Sequence, residues 1–245
     1  MKIIQSELLK IFPEIIFGFS TKIGLDRKEP YFFNMSVTVG DNEQNVKENR
    51  EAFFNQINLR TSQIAFQKQV HTDVVRIVDK PGFVGESDAM ITDQPNIGLA
   101  ISTADCTPIF IYDKQKKVIA AVHSGWRSTQ KRILEKTILM LRENYHSNPG
   151  NLYVFVGPSI SQKNYEVGKE FIELFDNRYM LINNGKIYLD VVGVNIDILY
   201  GFGIPKNQIE ISNLCTYDEK SLLHSYRRDG LSSGRALGII AVKGD

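Results

Sequence analysis

The sequence predicts an α+β fold with mixed sheets. Two observations carry that expectation. Apolar runs of strand length and striped runs of helix length follow one another without strict alternation. No Gly-x-Gly-x-x-Gly turn opens a helix, which argues against a doubly wound dinucleotide site. A third observation bears on domain organisation: no repeat, low-complexity tract or Pro/Ser-rich linker divides the 245 residues, a length that fits one large domain or two small ones.

The elements are expected as follows. Residues 16–21 read as a strand, and the polar, glycine-containing residues 24–29 as a loop. Residues 45–57 read as a helix, with Val46, Arg50, Phe53 and Phe54 partly in register. The middle is strand-rich: residues 74–78, 89–92, 98–102, 109–112 and 118–122 are short apolar runs of the buried-strand type. A helix capped by Ser128 or Thr129 follows, with Ile133, Leu134, Ile138 and Leu141 as its apolar stripe, and Asn148-Pro149-Gly150 stops it. Residues 152–156 form a strand broken by Gly157-Pro158. Residues 166–175 read as a helix with Phe171, Leu174 and Phe175 inward. A short strand at 187–189, a helix over 191–200 ended by Gly201 and Gly203, a strand at 209–212 and a strand at 236–242 complete the chain.

Composition excludes several classes. The formal net charge of +1 gives no bulk attraction to nucleic acid or an anionic membrane. Two cysteines are too few for a disulfide framework, so a reducing cytoplasm is expected. The N-terminal residues lack the apolar core of a signal peptide, and no apolar run approaches membrane-spanning length.

Three scarce side chains stand where strands are expected to end: His71 in Gln69-Val70-His71-Thr72-Asp73, Cys106 in Thr103-Ala104-Asp105-Cys106-Thr107-Pro108, and His123 in Ala121-Val122-His123-Ser124-Gly125-Trp126-Arg127. The chain holds only four histidines and two cysteines. Two imidazoles and a thiolate suit zinc, and three protein ligands leave a fourth position open, as in catalytic sites. The spacing has no Cys-x-x-Cys or His-x-x-x-His pairing. Singly, His71 can be a surface histidine, Cys106 a small buried hydrophobe and His123 a hydrogen-bonded core histidine.

The ordered set of segments resembles the laccase-domain family, also called polyphenol oxidase or multicopper polyphenol oxidoreductase, many of whose members are described as purine nucleoside phosphorylases with adenosine deaminase activity. The resemblance runs the whole length. Its landmarks are Phe19-Ser20-Thr21-Lys22-Ile23-Gly24, the segment from Val46 through Asn49-Arg50, Gln69-Val70-His71, and Asp88-Ala89-Met90-Ile91-Thr92. Further along stand Thr103 to Pro108, His123-Ser124-Gly125-Trp126-Arg127, Gly157-Pro158-Ser159-Ile160, Tyr165-Glu166-Val167, Cys215-Thr216, Ser225-Tyr226-Arg227-Arg228-Asp229 and Ser233-Gly234-Arg235. The resemblance implies one α+β domain over residues 1–245, a core of mixed β-sheets flanked by helices, and metal ligation by His71, Cys106 and His123. It departs from the family pattern at Lys22, where arginine is usual, and at Ser124, Ser128 and Ser233.

The activity so implied is zinc-dependent phosphorolysis of adenosine, inosine or methylthioadenosine to base and ribose 1-phosphate, together with adenosine deamination. A zinc deaminase of the familiar kind carries His-x-Glu with Pro-Cys-x-x-Cys, and this chain has neither. For phosphate, Arg127 before the expected helix is the first candidate, since a guanidinium and free N–H groups suit an anion; Lys22 and Arg228 follow, with Arg227 open and Arg50 read as a surface or structural charge. Asp105 can orient a ligand, accept a proton or cap a turn. Glu166 can support a histidine or simply open a helix. Trp126 can stack on a base or pack in the core. His146 and Cys215 gain no role. Competing expectations are a copper-dependent polyphenol oxidase on the same three ligands, a metal-free hydrolase with Cys106 as nucleophile, and a metal-stabilised interaction module.

Overall fold

The structure is a computed structural model and describes residues 1–244. Strands β1 (Ile3–Ile4) and β2 (Ile15–Ser20) precede helix α1 (Glu43–Gln56). Then come β3 (Ile64–Lys68), β4 (Val75–Ile77), β5 (Gly82–Glu86), β6 (Ala89–Thr92), β7 (Gly98–Thr103), β8 (Thr107–Asp113) and β9 (Val118–Ser124). Helices α2 (Trp126–Gln130) and α3 (Ile133–Tyr145) lead to β10 (Leu152–Val156), β11 (Glu166–Val167), α4 (Phe171–Leu174), β12 (Met180–Asn183) and β13 (Lys186–Leu189). Helix α5 (Val191–Gly201), β14 (Ile209–Ile211), α6 (Tyr226–Asp229) and β15 (Ala236–Val242) close the chain.

Two six-stranded sheets stack face to face. The first runs β1-β2-β15-β7-β3-β5 and the second β14-β10-β8-β9-β6-β4; a small third sheet holds β11-β13-β12. Both large sheets are mixed: β3 lies parallel to β5 and β7, β4 to β6 and β10 to β14, and their other pairings are antiparallel. The α+β expectation therefore holds.

Alternation along each strand explains the layering. On β8, Phe110 and Tyr112 enter the core between the sheets, beside Phe17, Phe19 and Ile101. Ile109 and Ile111 face the other way, against Ile133, Leu134 and Ile138 of α3 and Ile198 and Leu199 of α5. On the far side of the first sheet, Phe53, Phe54 and Ile57 of the α1 segment cover Ile64, Ala100, Leu237 and Ile239. Central strands buried on both faces read as unbroken apolar runs, which is why β8, β9 and β15 are visible in the sequence.

Several expected elements change. The first helix begins two residues earlier, because the Asn42 side chain accepts the Gln44 and Asn45 N–H groups and caps it. The single helix expected after His123 is two, split at Arg132, whose backbone is left-handed with φ 63°. Ser128 and Thr129 do not cap: their hydroxyls donate back to the Gly125 carbonyl inside α2. The helix expected over 166–175 shrinks to α4, since Gly168 interrupts it and Glu166 and Val167 pair with β13. Strands β1, β3, β5 and β12 lie outside the expected set. Among the described residues, no helix is long and apolar enough to cross a membrane.

Candidate metal centre

His71, Cys106 and His123 converge where β3, β7 and β9 end and β8 begins. His71 follows β3, Cys106 sits in the turn from β7 to β8, and His123 lies on β9. One ligand atom from each falls within 4.8 Å of the others, a spacing that a single ion can span, and among the described residues they are the one such group of three.

Local structure aims each ligand. The Gln69 side chain pairs with both backbone groups of Ser102, accepting from its N–H at 2.8 Å and donating to its carbonyl at 2.7 Å, which fixes the end of β3. The chain then turns at His71 with φ 57°, a conformation costly for a residue with a Cβ. At Asp105 φ is 97°. That turn is closed by the Thr103 hydroxyl, which donates to the Cys106 carbonyl. Two donors fasten Asp105 to the C-terminal part of the chain: the Thr216 hydroxyl at 2.6 Å on one oxygen, and the Arg227 N–H at 2.6 Å on the other.

Asp88 joins the two histidines. It is completely buried. One oxygen meets His123 Nδ1 at 2.7 Å; the other accepts the Val70 and Thr72 N–H groups at 3.2 and 2.6 Å, on either side of His71. Burial opposes its charge, but His123 and these amides outweigh it and hold the carboxyl below its ordinary value. An imidazole whose Nδ1–H donates to a carboxylate offers Nε2 to a metal in the correct tautomer. Burial also lowers His123, yet the Cys106 and Asp88 charges overcome it and raise its pKa. His71 moves the opposite way, lowered by burial and then by His123.

Two further observations fit an ion. His71 Nδ1 is buried without a hydrogen-bond partner among the described residues, and such an orphan needs an explanation. Gly125 keeps the space open: a Cβ there would lie 2.6 Å from His71 Nδ1 and 3.0 Å from Cys106 Sγ.

The other expected site residues are distributed unevenly. Arg127 is exposed in the first turn of α2, its guanidinium 4.2 Å from the Trp126 ring centre. Trp126 packs on Phe171 and, with Cys106, Gly125 and Tyr165, lines a small crevice at the ligands. Burial, and after it the Cys106 charge, keeps the Tyr165 phenol protonated. Arg228 is enclosed: its five N–H donors meet the Thr216, Tyr217 and Leu223 carbonyls and both Asp229 oxygens. Lys22 donates to the Lys220 carbonyl at 2.7 Å and covers Phe32. Glu166 is exposed and pairs with Lys186. The carboxylate supporting a histidine is Asp88, which the sequence presents as one more acid before a strand. The departures from the family pattern are accommodated: Ser124 bonds Thr129 and Asn195, and Ser128 donates to the His123 carbonyl. A larger hollow of about 430 Å³ lies beneath residues 25–32, and none of the three ligands lines it.

Residues 16–243 match the family model described as multi-copper polyphenol oxidoreductase laccase. The purine nucleoside phosphorylase YlmD of Bacillus subtilis (strain 168) is 32% identical over 248 residues, covering 94% of this chain and 89% of that one. The purine nucleoside phosphorylase YfiH of Escherichia coli (strain K12) is 32% identical over 229 residues, covering 90% and 91%. The solved structure of a Bacillus licheniformis hypothetical protein, YfiH, superposes with a TM-score of 0.89 at 31% identity, covering 94% of this chain and 93% of that one. YlmD from Geobacillus stearothermophilus gives 0.90 at 26% identity, with 95% and 93% covered. By this match along nearly its whole length, the chain belongs to the multi-copper polyphenol oxidoreductase laccase family.

Proposed function

We propose that the chain is a zinc-dependent purine nucleoside phosphorylase that cleaves adenosine, inosine or methylthioadenosine to base and ribose 1-phosphate and also deaminates adenosine. The convergence of His71, Cys106 and His123 carries the reading, and the relatives named purine nucleoside phosphorylase give it its reaction. A zinc ion on two imidazoles and a thiolate supplies a Lewis acid with an open position.

The chain's own residues supply the rest. Asp88 fixes the His123 tautomer and holds the His71 turn. Asp105, with both oxygens occupied inside the chain, acts as a positioning residue for Cys106. Tyr165 offers a protonated hydroxyl beside Cys106, Trp126 an apolar wall, and Arg127 a guanidinium at the rim. Lys22 and Arg228 border the C-terminal segment, where their bonds stiffen the chain around the site.

The same His-Cys-His set would also ligate one copper ion. Among the described residues no second group of donors accompanies it, which disfavours an oxidase needing several coppers. The test is metal analysis of protein purified without added copper, followed by product analysis of adenosine and inosine with and without phosphate. One zinc per chain, phosphate-dependent base release and inosine formed from adenosine are expected. Base release that ignores phosphate would leave a hydrolase, and phenol oxidation without nucleoside turnover would restore the oxidase.

A further inference from the structure

The chain has four arginines that are neither exposed nor fully buried: Arg27, Arg50, Arg228 and Arg235. Two of them have carboxylate partners, Arg27 with Glu48 and Arg228 with Asp229. Arg50 and Arg235 form no ion pair among the described residues. A guanidinium withdrawn from water without a counter-charge is costly, and burial indeed disfavours the charge of both.

Their hydrogen bonds leave a specific remainder. Arg50 donates through Nε to the Met35 carbonyl at 2.7 Å, and its two terminal nitrogens have no hydrogen-bond partner among the described residues. Arg235 donates through Nη1 to the Ser233 and Gly234 carbonyls at 2.7 and 3.0 Å, leaving Nε and Nη2. Each therefore keeps one two-pronged edge, end-on in Arg50 and side-on in Arg235, the arrangement that grips an oxyanion by parallel N–H bonds. Both planes are braced by aromatic rings: Phe66 lies 4.8 Å from the Arg50 guanidinium and Tyr226 lies 5.3 Å from that of Arg235.

The two arginines share a neighbourhood. Met35 receives Arg50 on its carbonyl, while its own N–H donates to the Arg235 carbonyl at 3.0 Å. Arg50 lies over Phe66, and Phe66 packs in the same cluster as Leu237, two residues beyond Arg235. Arg235 lies against the ring of Tyr226, and the residue after that tyrosine, Arg227, donates its N–H to Asp105, the neighbour of the ligand Cys106. Arg127 and Arg228 differ: the first is open to solvent and the second is fully donated within the chain.

We propose that Arg50 and Arg235 form the subsite for an oxyanion of the phosphate class, an assignment that rests on the phosphorylase reading for its biological ligand. Two forks suit a tetrahedral dianion better than a carboxylate, because four donors can reach more than two oxygens.

The test uses the full-length, metal-loaded protein and inorganic phosphate as the probe, with binding measured by calorimetry. Arg50→Gln and Arg235→Gln should each weaken phosphate at least tenfold with metal content unchanged, while Arg76→Gln, on an exposed strand, should not. The lysine variants keep the charge and guard against loss of fold; they should fall between wild type and glutamine, because lysine lacks the fork. Wild-type affinity in either glutamine variant, no phosphate binding by the wild type, or loss of binding only in Arg127→Gln would overturn the assignment. A wild type that binds phosphate through both arginines yet cleaves no nucleoside would refute the phosphorylase reading and leave the subsite standing.

Discussion

Replacing Asp88 by asparagine preserves shape and removes charge, and the structure fixes the consequence. Asp88 is acceptor-only toward three donors: Val70 N, Thr72 N and His123 Nδ1. An asparagine has one oxygen and one amino group. With the oxygen toward the amides, its amino group faces His123 Nδ1. The imidazole must then accept at Nδ1 and carry its proton on Nε2, the nitrogen a metal needs. With the amide flipped, the amino group faces two backbone N–H groups and the His71 turn loses its anchor. Either way one charge-assisted hydrogen bond, worth about 1.5–3 kcal/mol, is lost, and a buried donor is left unpaired at about 1–3 kcal/mol. Asp88→Asn should therefore lose roughly 3–5 kcal/mol of stability and about 10–100-fold in zinc affinity. Thermal or urea unfolding and zinc titration against a competing chelator measure the two. Zinc affinity within threefold of wild type, with stability lowered by less than about 1 kcal/mol, would refute the role given to Asp88.

Two further outcomes follow from buried groups. Gly125 has φ −78°, which any residue adopts, so Gly125→Ala acts by volume alone. Its methyl would lie against His71 Nδ1 and Cys106 Sγ; the variant should fold, lose about 1–3 kcal/mol to overpacking and bind zinc at least tenfold more weakly, and unchanged zinc titration would show that the ion sits elsewhere. His224 is buried, with Nε2 lacking a partner among the described residues; burial, opposed by a backbone hydrogen bond at Phe33 and helped by the Lys22 and Arg235 charges, takes its pKa down to about 3. A folded-state value below the unfolded 6.5 means that the neutral ring stabilises the fold above pH 6.5 and that this contribution is lost as pH falls toward 3. At pH 5 the loss is about 2 kcal/mol, from 1.5 pH units at roughly 1.4 kcal/mol each. His224→Phe should flatten the stability profile between pH 7 and 5 relative to wild type, and parallel profiles would remove His224 as the cause.

The parts legible in the sequence are those fixed by scarcity or by burial on both faces. His71, Cys106 and His123 stand out because the chain has so few imidazoles and thiols, and β8, β9 and β15 because their residues are apolar on successive positions. What was hidden depends on tertiary neighbours. Asp88 looks like any acid ahead of a strand until its two oxygens are seen to bridge two ligands. In the sequence Arg50 reads as a surface or structural charge and Arg235 as the end of a motif, since only the fold shows which arginines lack a carboxylate. Ser128 and Thr129 carry the composition of a cap, but their hydroxyls turn back on the preceding turn. Glu166 and Val167 read as helix in the sequence because the pairing with Tyr188 and Ile187 that makes them a strand is non-local.

The place of β15 between β2 and β7 has a kinetic consequence. Strand β2 has its main neighbour at the opposite end of the chain, and Leu237 N–H reaches Ser20 Oγ across 217 residues. Long-range pairings of this kind raise contact order and slow folding, since chain entropy is lost before any contact compensates for it. Until β15 arrives, β2 and β7 present apolar edges with unpaired backbone groups, a template for pairing with other chains. The first sheet is thus completed by a late insertion, whereas β8 and β9 pair through a tight local turn. The protein should be most vulnerable to aggregation in the interval between those two events.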